Sequence, residues 1–151
     1  MIYQGKARYP VHEIVVHCTA TRPDFMKGAT PQARFEEIRR WHMQDRGWSD
    51  IGYHLLIDRG GEVLTGRPFT TIGAHVAGHN AGTIGISLFG GHGSDANDAF
   101  IEHFTPQQDQ ALRRLIEGIE TKTQIMKISG HNEYAAKACP GFNVSKWLRG
   151  K

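Results

Sequence analysis

The chain has 151 residues, of which 39% are hydrophobic and 22% charged, and its formal net charge is +3. This length fits one domain with a buried core, and this composition argues against a disordered or membrane-spanning chain. The mild basic charge could favour an anionic polymer such as a bacterial wall, but the lysines and arginines are scattered, so ordinary solubility explains the charge equally well. We expect no direct nucleic-acid binding.

The first residues of the chain, 1–6, lack the apolar segment of a secretory signal, so we expect the chain to be made in a cytoplasm. Residues 13–18 form a β-branched run that predicts a buried strand. Thr30 followed by Pro31 predicts the start of a helix that ends near Gly47. Residues 51–58 and 62–65 predict two strands of a hairpin, joined by a glycine-containing turn.

The second half of the chain continues this alternation. Residues 70–82 and 90–104 are predicted loops, and the strand 83–89 lies between them. Thr105 and Pro106 predict a second capped helix, residues 125–128 a last strand that delivers His131, and Asn143 the cap of a final short helix. This order indicates a single α/β or α+β domain, residues 1–151, with a mixed central sheet flanked by helices.

The segment from Gly130 to Gly141 concentrates reactive side chains. It carries His131, Lys137 and Cys139, while His17 lies far upstream at the end of the first predicted strand. Two imidazoles and one thiolate can provide three ligands for zinc and leave a fourth position open for water, which is the arrangement of catalytic zinc sites. From spacing alone, unrelated core histidines and a buried cysteine explain these residues equally well.

Alternation along the strand separates the two cysteines of the chain. His17 and Cys18 are neighbours in a strand and therefore point to opposite faces. If His17 is a ligand, Cys18 is a small buried hydrophobic residue and Cys139 is the candidate thiolate.

Other candidates carry weaker signals. The hydroxyl of Tyr53 could orient a substrate or a water molecule, although a tyrosine at the edge of the core is the favoured interpretation from sequence alone. Lys137 could stabilise an oxyanion, although most lysines are merely solvated. His75 and His79 lie in a glycine-flanked loop and are either substrate contacts or structural histidines. Four further histidines have no cluster of reactive side chains near them in the sequence and are interpreted as surface or packing residues: His12, His42, His92 and His103.

Together these features resemble the zinc-dependent N-acetylmuramoyl-L-alanine amidase family of phage lysozymes, which is itself similar to the peptidoglycan-recognition proteins. The matching segments are residues 16–21, 38–42, 47–54, 57–61, 66–67, 73–75, 80–86, 104–108 and 137–140. They occur in family order and extend over nearly the whole chain. One departure is visible, because residues 23–35 are longer than in the phage lysozymes and are expected to extend the loop before the first helix.

The resemblance implies a set of site residues. His17, His131 and Cys139 match the zinc ligands of the family, and one Zn²⁺ per chain is expected. Tyr53 and Lys137 match residues that are needed for amide hydrolysis. Three further residues in matching segments are expected substrate contacts: Trp41, His75 and Asn80.

The resemblance also implies a function and partners. The expected reaction is hydrolysis of the amide bond between N-acetylmuramic acid and L-alanine in peptidoglycan. The enzyme is expected to be a monomer that is released from the host cytoplasm and then lyses the bacterial wall. Similar phage lysozymes also bind and inhibit a single-subunit phage RNA polymerase, so such a polymerase is a second expected partner. The alternative is a non-catalytic peptidoglycan-binding or regulatory protein, which is disfavoured because all three expected metal ligands are present.

Overall fold

The computed structural model describes residues 1–150, and Lys151, the last residue of the predicted domain, lies outside that range. Within the described residues the strands are β1 (Tyr3–Gln4), β2 (Tyr9–Pro10), β3 (Glu13–Cys18), β4 (Leu55–Ile57), β5 (Val63–Thr65), β6 (Thr83–Leu88) and β7 (Lys127–Gly130). The α-helices of this range are α1 (Pro31–Arg40), α2 (Phe100–His103), α3 (Pro106–Glu120) and α4 (Val144–Arg149). Five of these strands form a mixed sheet in the order β5-β4-β6-β3-β7, and β1 pairs with β2 in a separate hairpin. The predicted single α/β domain with a mixed sheet is confirmed.

The register of β3 decides where its last residues lie. This strand is parallel to both of its neighbours, with His17 opposite Ser87 of β6 and Val16 opposite Gly130 of β7. Because β3 and β7 run in the same direction, His17 and His131 leave the sheet side by side at its carboxyl edge. The topology therefore brings together two residues that are far apart in the sequence.

The two faces of β3 contact different parts of the protein. Val16 and Cys18 belong to a core shared with Leu112 of α3, and burial of a side chain such as Leu112 contributes about 1.5–3 kcal/mol. Alternation directs Glu13 and His17 to the other face. The prediction that His17 and Cys18 point to opposite sides of the sheet is confirmed.

All three predicted helix caps are present. Ala33 N donates to Thr30 Oγ1 at 3.1 Å, and Lys146 N donates to Asn143 Oδ1 at 2.9 Å. At the start of α3, Thr105 forms a reciprocal capping box with Gln108. Such side chains satisfy backbone N–H groups that have no partner inside the helix. Helix α1 continues into a π-helical segment, Trp41–Asp45, and the helical path ends before Gly47, as expected.

Several predicted boundaries were wrong. Strand β4 covers only Leu55–Ile57 rather than residues 51–58, because the backbone before it bonds to loops: Gly52 O accepts from Ala74 N, and Tyr53 O accepts from Arg67 N. The last strand begins two residues later than expected, since Met126 N still bonds to His12 O outside the sheet.

One helix and one two-stranded hairpin were missed. Helix α2 lies inside the predicted loop 90–104, where Phe100 packs against Phe142 and Trp147. The β1–β2 hairpin has too few residues to show an apolar pattern. The expected long loop before the first helix ends at Thr30, so residues 31–35 of the unusual stretch are helical.

In residues 1–150 no helix is both long enough and apolar enough to cross a membrane.

Candidate metal centre

The three predicted metal ligands lie together. The ligand atoms of His17, His131 and Cys139 are all within 4.8 Å of one another. Cys139 reaches the end of β3 from a loop, where its Sγ accepts from Cys18 N at 3.2 Å and lies 3.9 Å from His17 Nδ1. The thiolate is the form of cysteine that binds metal, and the backbone N–H of Cys18 is one donor to it. The structure thus provides a set of two nitrogens and one sulfur that fits a metal ion.

A chain of hydrogen bonds fixes the orientation of His17. Its Nε2 lies 2.8 Å from His75 Nδ1, and His75 Nε2 lies 3.0 Å from Thr83 Oγ1. The Thr83 hydroxyl donates to a backbone carbonyl, at 2.9 Å from Asn80 O and 3.3 Å from His79 O, so it accepts from His75. His75 Nδ1 is then the acceptor for the Nε2–H of His17. This leaves His17 Nδ1 unprotonated and facing Cys139, which is how ligating histidines are usually held.

The electrostatic surroundings keep these imidazoles neutral. Burial, followed by the neighbouring His75, lowers the pKa of His17 well below its usual value. Burial and the charge of Lys137 lower the pKa of His131, and burial lowers that of His75 to about 3. The hydrogen-bonded Cys18 thiol and burial raise the pKa of Cys139, an effect that a bound cation opposes by stabilising the thiolate. Neutral histidines are competent metal ligands at neutral pH.

Of the three candidate ligands, His131 and Cys139 line a cavity of about 480 Å³, here called the metal pocket, whose walls also include Trp41, Tyr53, His75 and Lys137. The ring centre of Tyr53 lies 5.1 Å from that of His17. Burial and the nearby Cys139 raise the pKa of Tyr53 far above its usual value, so its hydroxyl remains a hydrogen-bond donor. Tyr53 lies in an irregular segment two residues before β4, and its predicted position at the start of a strand was wrong.

A second cavity of about 370 Å³ adjoins the metal pocket and shares His75, His131 and Lys137 with it. We call it the side groove. Asn80 lines this groove, and its Oδ1 accepts from the backbone N–H groups of His75 and Val76, each at 2.9 Å. Seven of the eight predicted site residues therefore line these two adjoining cavities, and the eighth, His17, is buried next to His75, His131 and Cys139.

Several residues of these cavities were given no role in the site from the sequence, among them Arg46, Trp48 and His42. The Arg46 guanidinium lies 5.1 Å from the ring centre of Trp48, and both residues line both cavities. Two signals were available, because Arg46 and Trp48 are near each other in the sequence and Trp48 belongs to the family-matching segment 47–54. His42, predicted to be a surface or packing residue, lines the metal pocket and packs there, with Nδ1 accepting from Gly52 N at 2.9 Å. Burial lowers the pKa of His42 to about 4, so it too is neutral.

The fold is shared with proteins that bind or cleave peptidoglycan. Bumblebee peptidoglycan-recognition protein SA superposes with a TM-score of 0.76 at 27% identity, over 99% of this chain and 85% of that one. The N-acetylmuramoyl-L-alanine amidase LysC from Clostridium intestinale superposes with a TM-score of 0.71 at 28% identity, over 99% of this chain and 95% of that one. The architecture is therefore the one common to peptidoglycan-recognition proteins and these amidases.

Sequence comparison identifies the family to which this chain belongs within that class of folds. The family model described as N-acetylmuramoyl-L-alanine amidase matches residues 7–142. The endolysin of Escherichia phage T7 is 40% identical over 144 residues, which covers 95% of this chain and 89% of that protein. The chain belongs to the N-acetylmuramoyl-L-alanine amidase family, as its sequence predicted, and its enzymatic activity is that of an amidase.

Proposed function

We propose that this chain is a zinc-dependent endolysin in which residues 1–151 act as one amidase domain. Its substrate is bacterial peptidoglycan, and the bond that it cleaves joins N-acetylmuramic acid to the L-alanine of the stem peptide. The observation that carries this proposal is the trio of His17, His131 and Cys139, whose ligand atoms lie within 4.8 Å of one another beside a pocket lined by Tyr53 and Lys137.

The donor set supports zinc as the metal. Imidazole nitrogen and thiolate sulfur are preferred ligands of Zn²⁺, and three protein ligands are usual in catalytic sites. The hydrogen bond from His17 Nε2 to His75 leaves Nδ1 free to bind. When bound, zinc lowers the pKa of water and polarises a carbonyl group, which is the chemistry that amide hydrolysis requires.

Two side chains of the pocket are suited to the charge that develops during hydrolysis. Attack on an amide carbonyl places negative charge on its oxygen, and hydrogen-bond donors fixed in a pocket stabilise that charge. Tyr53 retains its proton because burial raises its pKa. Lys137 carries a positive charge, which is felt by both His17 and His131. We assign to these two residues the stabilisation of the oxyanion and the positioning of the attacking water.

The substrate contacts predicted from the sequence remain part of the proposal. Trp41 offers an aromatic wall to the metal pocket, and Asn80 lines the side groove. His75 is only 7% exposed and uses both ring nitrogens inside the protein, so its contact with substrate is through the ring surface.

The products of the reaction test the proposal. Incubation of the purified protein with purified peptidoglycan should release free amino groups, since the cut exposes the amine of L-alanine. The number of reducing ends should stay constant, because no glycosidic bond is cut. An increase in reducing ends without new amino groups would contradict the amidase assignment. Binding without either product would support the alternative of a recognition protein.

We propose that the protein is made in the host cytoplasm and reaches the cell wall after release. Its relatives from phages T7 and T3 are named endolysins, which supports this route. Lysis should then require permeabilised cells or a pore-forming partner. Spontaneous lysis of intact expressing cells would contradict this route.

The prediction of a phage RNA polymerase as a second partner rests on the similarity to the T7 and T3 endolysins. Immobilised wild-type protein and its Cys139→Ser variant should both capture a cognate single-subunit polymerase, which would separate this role from hydrolysis. Failure of the wild-type protein to capture it would remove this role. The same sample, analysed by light scattering, tests the expected monomer.

A further inference from the structure

Glu13 is a buried carboxylate that the proposed hydrolysis does not use. It is 3% exposed and lies on the same face of β3 as His17. Burying a charge is costly unless hydrogen bonds compensate for the lost water. Both oxygens have such bonds: Oε1 accepts from His79 Nε2 at 2.8 Å, and Oε2 accepts from Ser129 Oγ at 2.6 Å and from the Tyr134 hydroxyl.

The three partners of Glu13 belong to three different segments. Ser129 is on β7, which already pairs with β3. His79 lies in the loop before β6, next to Asn80. Tyr134 lies in the loop after β7 that also carries Lys137. The rings of His79 and Tyr134 stack with their centres 4.3 Å apart. One carboxylate of β3 thus contacts both loops and the neighbouring strand β7.

The same two loops form the walls of the side groove. Val76 and Asn80 line it from the first loop, and Tyr134, Ala135 and Lys137 line it from the second. Tyr134 therefore takes part both in the groove wall and in the contact with Glu13. Each wall of the groove is thus attached to β3 through Glu13.

We propose that Glu13 is a positioning residue that sets the width of the side groove by tying its two walls together. The tie orders both loops before the ligand arrives, so binding does not have to supply that ordering. Its effect falls on binding of the peptidoglycan stem rather than on hydrolysis. This inference rests on the proposed function for the identity of the ligand. The contacts of Glu13 with the two loops do not depend on that function.

A conservative pair of variants separates the tie from general stability. Tyr134→Phe removes the hydroxyl that bonds to Glu13 and keeps the ring that stacks on His79. Ser129→Ala removes a hydrogen bond from the same carboxylate, but that bond leads to a strand and not to a loop. With a soluble muropeptide as substrate, Tyr134→Phe should raise KM several-fold at nearly unchanged kcat and zinc content. Ser129→Ala should leave KM unchanged.

Amide hydrogen exchange tests the tie without reference to activity. In Tyr134→Phe, the amides of residues 76–80 should exchange faster although the substitution lies in the other loop. His79→Phe, which keeps a stacking ring but loses the bond to Glu13, should have the reciprocal effect on residues 132–136. Unchanged exchange in both variants would overturn the tie. An inactive or zinc-free wild-type protein would overturn the proposed function instead, and the exchange result would still decide the role of Glu13.

Discussion

His17 Nε2 lies 2.8 Å from His75 Nδ1, and this bond determines which nitrogen of His17 can bind a metal. The two residues are on different elements, β3 and the loop before β6. Thr83 fixes the tautomer of His75 through a second bond at 3.0 Å. His75 therefore orients His17 in the candidate metal centre, in addition to the proposed contact with substrate.

Replacing His75 by alanine should weaken zinc binding by about 10–100-fold, the usual cost of losing a hydrogen-bond partner of a ligating histidine. Competition with a chromogenic zinc chelator measures this affinity. His75→Gln, which retains an acceptor, serves as the matched variant and should lose less. Unchanged zinc affinity together with a raised KM would show that His75 acts on substrate alone.

Tyr53→Phe should lower kcat by about 100-fold, because a single donor to a developing oxyanion contributes on this scale. The phenylalanine ring preserves the packing of Tyr53 against His17. Zinc content and thermal stability should therefore equal those of the wild-type protein. A variant with full kcat would leave Tyr53 as a residue of the pocket wall only.

Lys137→Met should also lower kcat by about 100-fold, since it removes a positive charge from the pocket while keeping a long side chain. The side chain lines both cavities of the site. Steady-state kinetics on a soluble muropeptide provide the measurement, and Lys146→Met, on α4 outside both cavities, is the control. Equal kinetics for the two variants would exclude a catalytic cation at position 137.

Glu13 should make the stability of the protein depend on acid pH. Burial raises the pKa of this carboxyl, but hydrogen bonds from Ser129, Tyr134 and His79 outweigh burial and lower the pKa below the ordinary value of 4.5. The unfolded chain therefore binds the proton first as the pH falls, and the stabilisation present above pH 4.5 disappears as the pH drops through the folded-state pKa.

Urea denaturation of the wild-type protein and of Glu13→Gln measures this effect. The wild-type protein should be the more stable at neutral pH, and the difference should shrink below about pH 4.5. Lys127 and Glu133, which lie near Tyr134, are unchanged in both proteins and so cancel from the comparison. A difference that stays constant with pH would show that Glu13 is not held as a carboxylate.

Local rules explain which parts of the fold the sequence could predict. The β-branched run of β3 and the caps at Thr30, Thr105 and Asn143 depend on neighbouring residues, and all were confirmed. The backbone around Tyr53 depends instead on distant partners such as Arg67 and Ala74, so its irregular course left no pattern in the sequence.

In the candidate site, too, the features that depend on distant residues could not be predicted from local sequence. Spacing could not distinguish His17, His131 and Cys139 from unrelated core residues, because ligands contributed by separate elements have no local signature. The family resemblance supplied the set, and the parallel register of β3 and β7 explains why two of its members meet. The bond between His17 and His75 and the tie at Glu13 join residues 58 and 66 positions apart, which no periodicity encodes.

The most direct test of the account is zinc content measured together with amidase activity in two cysteine variants. Cys139→Ser removes the proposed thiolate, whereas Cys18→Ala removes the other thiol, which contacts Cys139 but is not a proposed ligand. We predict one zinc per chain and activity in the wild-type protein and in Cys18→Ala, and loss of both in Cys139→Ser. Full zinc content with full activity in Cys139→Ser would contradict the proposed metal centre.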